Sequence, residues 1–282
     1  MADPATIQPE EFVFDAANRV SLRRSVRELL AYRETVWSFA MRSFRVRFKQ
    51  AVLGVGWALL QPLAFLGVFV VLFGGLGGIS GGGTTYAAFA LSALVPWQFV
   101  SSGVQFGGDS LIQDASLVRK VYFPREAPVL GSILSYTPDF LIGLALVIVA
   151  APLTGATLTW NLIFVPMLFV ALLLPTIAVA VPLAGFAVYY RDFKYALPVG
   201  IQLWLFASPV AYPVTTVSSN WRWLYALVNP IVGMLEGFRQ VLALGHAPNW
   251  DLLGLSTLSS VVLFLVGFRI FKRLEREFAD VI

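Results

Sequence analysis

Cysteine is absent from this chain of 282 residues, histidine occurs once, and charged residues make up only 13%. Without cysteine there is no disulfide framework, no thioether haem attachment and no thiolate metal site, and the redox compartment stays unspecified. The scarcity of charge excludes more. An ordinary soluble domain is about 25% charged, whereas here 58% of residues are hydrophobic and the mean hydropathy is +0.76. A soluble fold of this size has no interior large enough to hide that surface. Charge is missing in long runs as well, with none at residues 50–108, 140–190 and 195–221.

A helix rises about 1.5 Å per residue and the hydrocarbon core is about 30 Å thick, so roughly 20 apolar residues make one crossing. The first two uncharged runs are each long enough for two. We place spans near Val52 to Phe73, Tyr86 to Gly107, Ala127 to Ala151, Asn161 to Ala187, Ala196 to Pro213 and Leu252 to Phe271. Stray backbone groups go unsatisfied in hydrocarbon, and barrel strands are only about 10 residues long, so these spans are read as helices. Pro166, Pro175, Pro182, Pro198 and Pro209 predict bends in the later ones.

Orientation follows from arginine and lysine. Arg19, Arg23, Arg24, Arg27, Arg33, Arg42, Arg45, Arg47 and Lys49 precede the first span, and Arg119, Lys120 and Arg125 lie between the second and third. Arg191 and Lys194 lie between the fourth and fifth, and Arg269, Lys272, Arg273 and Arg276 in the tail, which leaves only Arg222 and Arg239 opposite. Cytoplasmic loops carry such an excess, so both termini are expected in the cytoplasm of a multi-pass plasma-membrane protein. No cleavable leader is expected. The basic pI near 9.5 reads as attraction to anionic membrane lipids, with no nucleic acid as partner.

The predicted fold class is an all-α integral membrane bundle of six helices. Residues 1–20 read as a solvated arm, 21–50 as an amphipathic helix in the inner interface, 51–271 as the membrane domain and 272–282 as a cytoplasmic tail. In the second segment Leu22, Val26, Leu29, Leu30, Val36, Trp37, Ala40, Met41, Phe44 and Phe48 recur at helical spacing. Gly74 to Gly83 holds seven glycines and suits a tight turn. Gly74/Gly78 and Gly103/Gly107 also have the spacing that permits close helix approach. Val214 to Trp250 reads as two short re-entrant or interfacial helices on the outer side, with Glu236 and Arg239 spaced to pair.

Catalytic chemistry is hard to find. The four lysines precede Gln50, Val121, Tyr195 and Arg273, so no phosphate-cradling loop ends in Lys-Ser or Lys-Thr. His246 has no partner in its outer loop, and the G-x-S-x-G match at Gly78 to Gly82 lacks the strand, helix and histidine of a nucleophile elbow. Asp139 is the one candidate intramembrane polar site. A buried Asp at mid-bilayer costs about 2.5 to 3.5 kcal/mol, so it needs a partner or a wet cavity there, or else it sits at the inner interface where the cost is small. One doubtful acid and no internal repeat weaken the case for a secondary carrier, which stays as the second reading; a membrane glycan enzyme is the third.

Specific segments go further. Phe44 to Gly54 (FRVRFKQAVLG) followed by Trp57 to Leu63 (WALLQPL), then Val118 to Glu126 (VRKVYFPRE), Tyr190 to Phe193 (YRDF) with Trp204 to Pro213, and finally Phe271 to Asp280 stand in one order. This ordered set resembles the type-2 ABC exporter permeases that move O-antigen, capsule and teichoic-acid polysaccharides, nearest to the Wzm-like O-antigen kind. The resemblance implies a homodimeric permease bound to two ATP-binding cassette subunits, exporting a lipid-linked glycan, with ATP and magnesium held by the partner and no cofactor in this chain. It points to Leu117, Val118, Arg119, Lys120, Val121, Tyr122, Phe123, Pro124 and Arg125 as the contact with the ATPase subunit; a basic loop that only sets topology is the alternative. Aromatic faces contact sugar rings without demanding one geometry. Trp57, Phe65, Phe69, Tyr86, Trp97, Phe99, Trp204, Phe206 and Tyr212 are therefore candidate channel linings, against anchoring in lipid as the alternative for each.

Overall fold

The computed structural model describes residues 22–49, 53–79, 81, 83–190 and 192–278. The expected arm at 1–20, the first residue of the first span at Val52, Ser80 and Gly82 of the serine motif, Arg191, and Ala279 and Asp280 of the tail lie outside them. All the described regular elements are helical. In chain order they are α1 (Leu22–Ala31), α2 (Arg33–Phe48), α3 (Trp57–Phe69), α4 (Tyr86–Gln113), α5 (Ala115–Lys120) and α6 (Glu126–Leu134). There follow α7 (Thr137–Thr154), α8 (Val165–Tyr189), α9 (Phe193–Phe206), α10 (Arg222–Val228), α11 (Val232–Arg239) and α12 (Trp250–Leu274).

Among the described residues, five stretches are long and apolar enough to cross a membrane: Trp57–Leu76, Tyr86–Gln113, Glu126–Thr154, Trp160–Tyr189 and Trp250–Leu274. The predicted fifth span differs. α9 has 14 residues, about 21 Å of helix against a hydrocarbon core of about 30 Å. It stops because Pro209 lacks an N–H and disfavours a helical Ser208 before it, and residues 207–213 turn instead. A count of six full-length spanning helices is thus not what the described residues contain.

The predicted third span is broken too. Pro138 would clash with the carbonyl four residues back, and α6 ends at that residue, Leu134, with Ser135 and Tyr136 forming the turn into α7. The predicted inner helix is likewise two helices, α1 and α2, meeting at Tyr32.

Ends are capped where sequence chemistry allows. Thr85 accepts from the Ala88 amide and Asn249 from the Leu252 amide, satisfying first-turn donors of α4 and α12. Gly155, at φ 68°, closes α7 in the left-handed conformation that glycine adopts without penalty.

α4 is the centre of the bundle. In its most apolar window 78% of residues are buried, against 11% in Trp57–Leu76, which lies along the outside. α4 packs along α8, α6 and α7, and α8 along α12. Gly103 and Gly107 make the first contacts close: a Cβ added at Gly103 would stand 2.7 Å from Thr176, and one at Gly107 3.1 Å from Ala180. At the other small-residue pair, a Cβ on Gly74 would meet Tyr86, whereas Gly78 is open and at φ 61°, a turn position.

The segment expected on the outer side is exposed at Trp221, Trp223 and Val228 around α10 and buried in its second half. Every residue of α11 is buried, against α4, α8 and α12. Gly233 lies against the backbone of Leu252 and donates its N–H to Ser256. An apolar segment whose two charges neutralise each other tolerates that depth.

Candidate functional site

The segment expected to meet an ATPase subunit starts within α5, leaves it at an extended Val121 and turns at Arg125 into α6. Lys120, Val121 and Tyr122 are exposed and Leu117 is half-buried against the core. Phe123, only 4% exposed, lies edge-on to Phe39 of α2 with ring centroids 5.2 Å apart, Pro124 is buried, and the Arg125 guanidinium stands 5.4 Å from the Phe123 ring. The side chains of Val118 and Arg119 are not described. The segment therefore divides into an outward edge, Lys120 to Tyr122, and an anchor, Phe123 and Pro124.

Polar contacts hold α1 and α2 to this segment and to the α6–α7 turn. Tyr122 donates its hydroxyl to Glu28 at 2.8 Å. Burial, and then the Glu28 carboxylate, push the Tyr122 phenol up to about 12, so it remains a donor at neutral pH. Arg42 pairs with Asp114 at 2.5 Å; burial pushes that carboxyl up while Arg42 pulls against it. Arg47 donates to the Ser135 carbonyl at 3.0 Å and pairs with Asp139 at 2.6 Å. At the start of α6, the buried Glu126 pairs with Lys272 of α12, which also pairs with Glu275, both at 2.6 Å.

Asp139 sits in the first turn of α7 with a partner supplied from outside the span. Arg47 and Asp139 border a cavity of about 160 Å³ between the end of α2, the start of α3, and the middle of α4, where Trp57, Gln61, Gln98 and Phe99 also line it. The Arg47 guanidinium lies over the Tyr136 ring, 3.9 Å from its centroid, where a cation is attracted to the ring face.

The candidate channel aromatics separate into groups. Trp57, Phe65 and Phe206 are exposed, on α3 and α9. Phe69, Tyr86, Trp97 and Phe99 are buried: Tyr86 donates to the Ala211 carbonyl, Trp97 packs edge-on to Trp204, and Phe99 packs on Phe140 and Phe169. Trp204 and Tyr212 are half-buried, the former donating to Asn229 and the latter sharing a hydrogen bond with Tyr225.

On the opposite side Arg239, 1% exposed, pairs with Glu236 at 2.8 Å, donates to the carbonyls of Pro209 and Val210, and stands 3.9 Å from the centroid of Phe89. The pairing with Glu236 follows from spacing; the hold on the turn after α9 does not. Sequence reading also misses Arg47 as the partner of Asp139, Glu126 with Lys272, and Gln61 and Gln98 beside the cavity. The available signals were an arginine inside an aromatic-rich segment and a glutamate opening an apolar one.

The chain is similar along most of its length to named transport proteins. It is 28% identical over 258 residues, 91% of this chain and 98% of the relative, to the O-antigen export system permease protein RfbA of Myxococcus xanthus. It is 23% identical over 242 residues, 86% and 92%, to the protein of that name in Klebsiella pneumoniae. To the polysialic acid transport protein KpsM of Escherichia coli it is 22% identical over 253 residues, 86% and 93%. The sequence model of the ABC-2 type transporter family matches residues 34–243, from α2 through the buried outer segment, and the chain belongs to that membrane transporter family.

Proposed function

We propose that this chain is the membrane subunit of an ABC exporter that moves a lipid-linked polysaccharide of the O-antigen kind across the plasma membrane. The observation that carries the reading is the similarity, over 86–91% of the chain, to proteins named for O-antigen export and polysialic acid transport. The membrane bundle itself supports a passage rather than an enzyme. ATP and magnesium belong to a separate ATP-binding cassette subunit, two copies of which act with two copies of this chain.

The exposed apolar side chains Leu60, Leu63 and Val68 on α3 and Leu203 and Phe206 on α9 give a face to lipid or to the second copy. Both termini are cytoplasmic, which the distribution of arginine and lysine supports. α9 with the turn at 207–213 completes a sixth, shortened passage. ATP-driven closure presses on Lys120 to Tyr122, and the contacts to α1 and α2 carry that displacement to the α6–α7 turn.

The test is export reconstituted in a host lacking its own system. This chain with its ATP-binding partner puts glycan on the cell surface, and disabling the partner's nucleotide site leaves lipid-linked glycan on the inner face. Export that continues without the nucleotide site makes the chain a self-sufficient carrier and overturns the reading.

A further inference from the structure

Among the described residues, the cavity between α2, α3, α4 and α7 brings together polar groups that have no hydrogen-bond partner. Among the described residues the side chains of Gln61, Gln98 and Ser102 make no hydrogen bond, and all three line it. Arg47 uses one nitrogen for Ser135 and Asp139, while its buried Nε and Nη1 have no hydrogen-bond partner. Of these groups the two guanidinium nitrogens are buried, Gln98 and Ser102 are half-buried and Gln61 is exposed; buried polar groups are ordinarily satisfied, so the two nitrogens call for a partner.

Size, charge and wall chemistry narrow what satisfies them. An apolar cavity of about 150 Å³ holds one benzene ring, so this one, at about 160 Å³ and open to the outside beside Trp57, takes the body of one six-membered ring with its further substituents at the mouth. Arg47 and Asp139 cancel, and the remaining lining side chains carry no charge at neutral pH, so the cavity has no net charge to draw in an anion. A hydrocarbon chain would leave the two buried guanidinium nitrogens unmatched, which weakens binding by roughly tenfold or more for each, and would give the two carboxamides and the hydroxyl no partner. Hydroxyl groups both donate and accept, as the two carboxamides do. The rings of Trp57, Phe99 and Phe140 supply apolar wall for the faces of a sugar.

We propose that this cavity binds a single neutral sugar ring, offered either by a membrane-anchored glycolipid or as free sugar. The proposal deepens the export reading and rests on it for the relevance of sugars. The site lies within one copy of the chain, behind α3, and Trp57, 52% exposed, connects it to the outside.

The test uses the full complex with its ATP-binding partner in phosphatidylcholine nanodiscs, without nucleotide, and a diazirine-bearing octyl glucoside as photoprobe. Label is expected on the peptides spanning Trp57 to Pro62 and Val95 to Ser102, falling about tenfold in Gln98→Leu, the effect of one lost hydrogen bond. Ser102→Ala, a smaller change, carries the test if Gln98→Leu no longer co-purifies with the partner. Competition by octyl glucoside alone identifies the glycolipid as source, and equal competition by glucose identifies free sugar; either supports the ring. Equal labelling by an ethylene-glycol-headed octyl probe, or label unchanged in both variants, overturns it. Export without labelling removes only this site, and labelling without export removes only the transport reading.

Discussion

Arg239 shows how far a single side chain can set one end of this bundle. Its guanidinium is buried with Glu236 and reaches back to two carbonyls in the turn after α9, so one charge ties α11 to the end of another helix. Removing one member of a buried pair leaves the other uncompensated and typically costs about 3–5 kcal/mol. Arg239→Ala should therefore lower the thermal midpoint of the detergent-solubilised protein sharply, and Glu236→Ala nearly as much. The double change to Met at both positions should recover much of the loss, because no charge is then stranded. Equal or greater loss in the double variant would show that the carbonyl contacts, not the ion pair, dominate.

Among elements, α2 links the inner face to the bundle. It docks on α6 at Gly131, where an added Cβ would stand 2.5 Å from Phe39 Cβ and 3.0 Å from the Ala40 amide. Gly131→Leu should lever α2 away, seen as faster proteolysis between Tyr32 and Lys49 while the later spans stay protected; unchanged protection would mean that the polar contacts alone hold α2. The exposed edge behaves differently from its anchor. Val121→Ala with Tyr122→Phe should reduce transport while ATP hydrolysis by the partner continues, because these side chains face outward. Phe123→Ala should instead lower stability, by about 3–5 kcal/mol, as truncation of a buried phenylalanine does. The two outcomes are separated by comparing hydrolysis, transport and thermal midpoint in one preparation.

For the whole molecule, the absence of cysteine makes topology directly measurable. A cysteine at Ser219 should react with an impermeant maleimide in intact cells, and one at Lys120 or Lys194 only after permeabilisation. Ser219 and Lys120 labelled from the same side would invert or break the bundle described above. A second copy should cover the later turns of α3, so cross-linking through paired cysteines on the exposed side of Leu63 and Val68 is expected to trap a dimer.

Uncharged runs of bilayer length and arginines gathered at one set of loops determined from sequence alone that this is a helical membrane bundle, whereas the spacing of the glycines at 103 and 107 only permitted the close packing that the structure shows. Those features are local, and periodicity and composition report local facts. The bend before Pro138 and the stop before Pro209 were also written in the chain, although window averages of hydropathy pass over single prolines. The tertiary structure alone decided that Arg47 neutralises Asp139 across 92 positions, that Lys272 meets Glu126, that Phe123 anchors rather than projects, and that α11 is buried. Each depends on which distant surfaces come together, and a charge or an aromatic ring acquires its meaning only from the neighbour it meets.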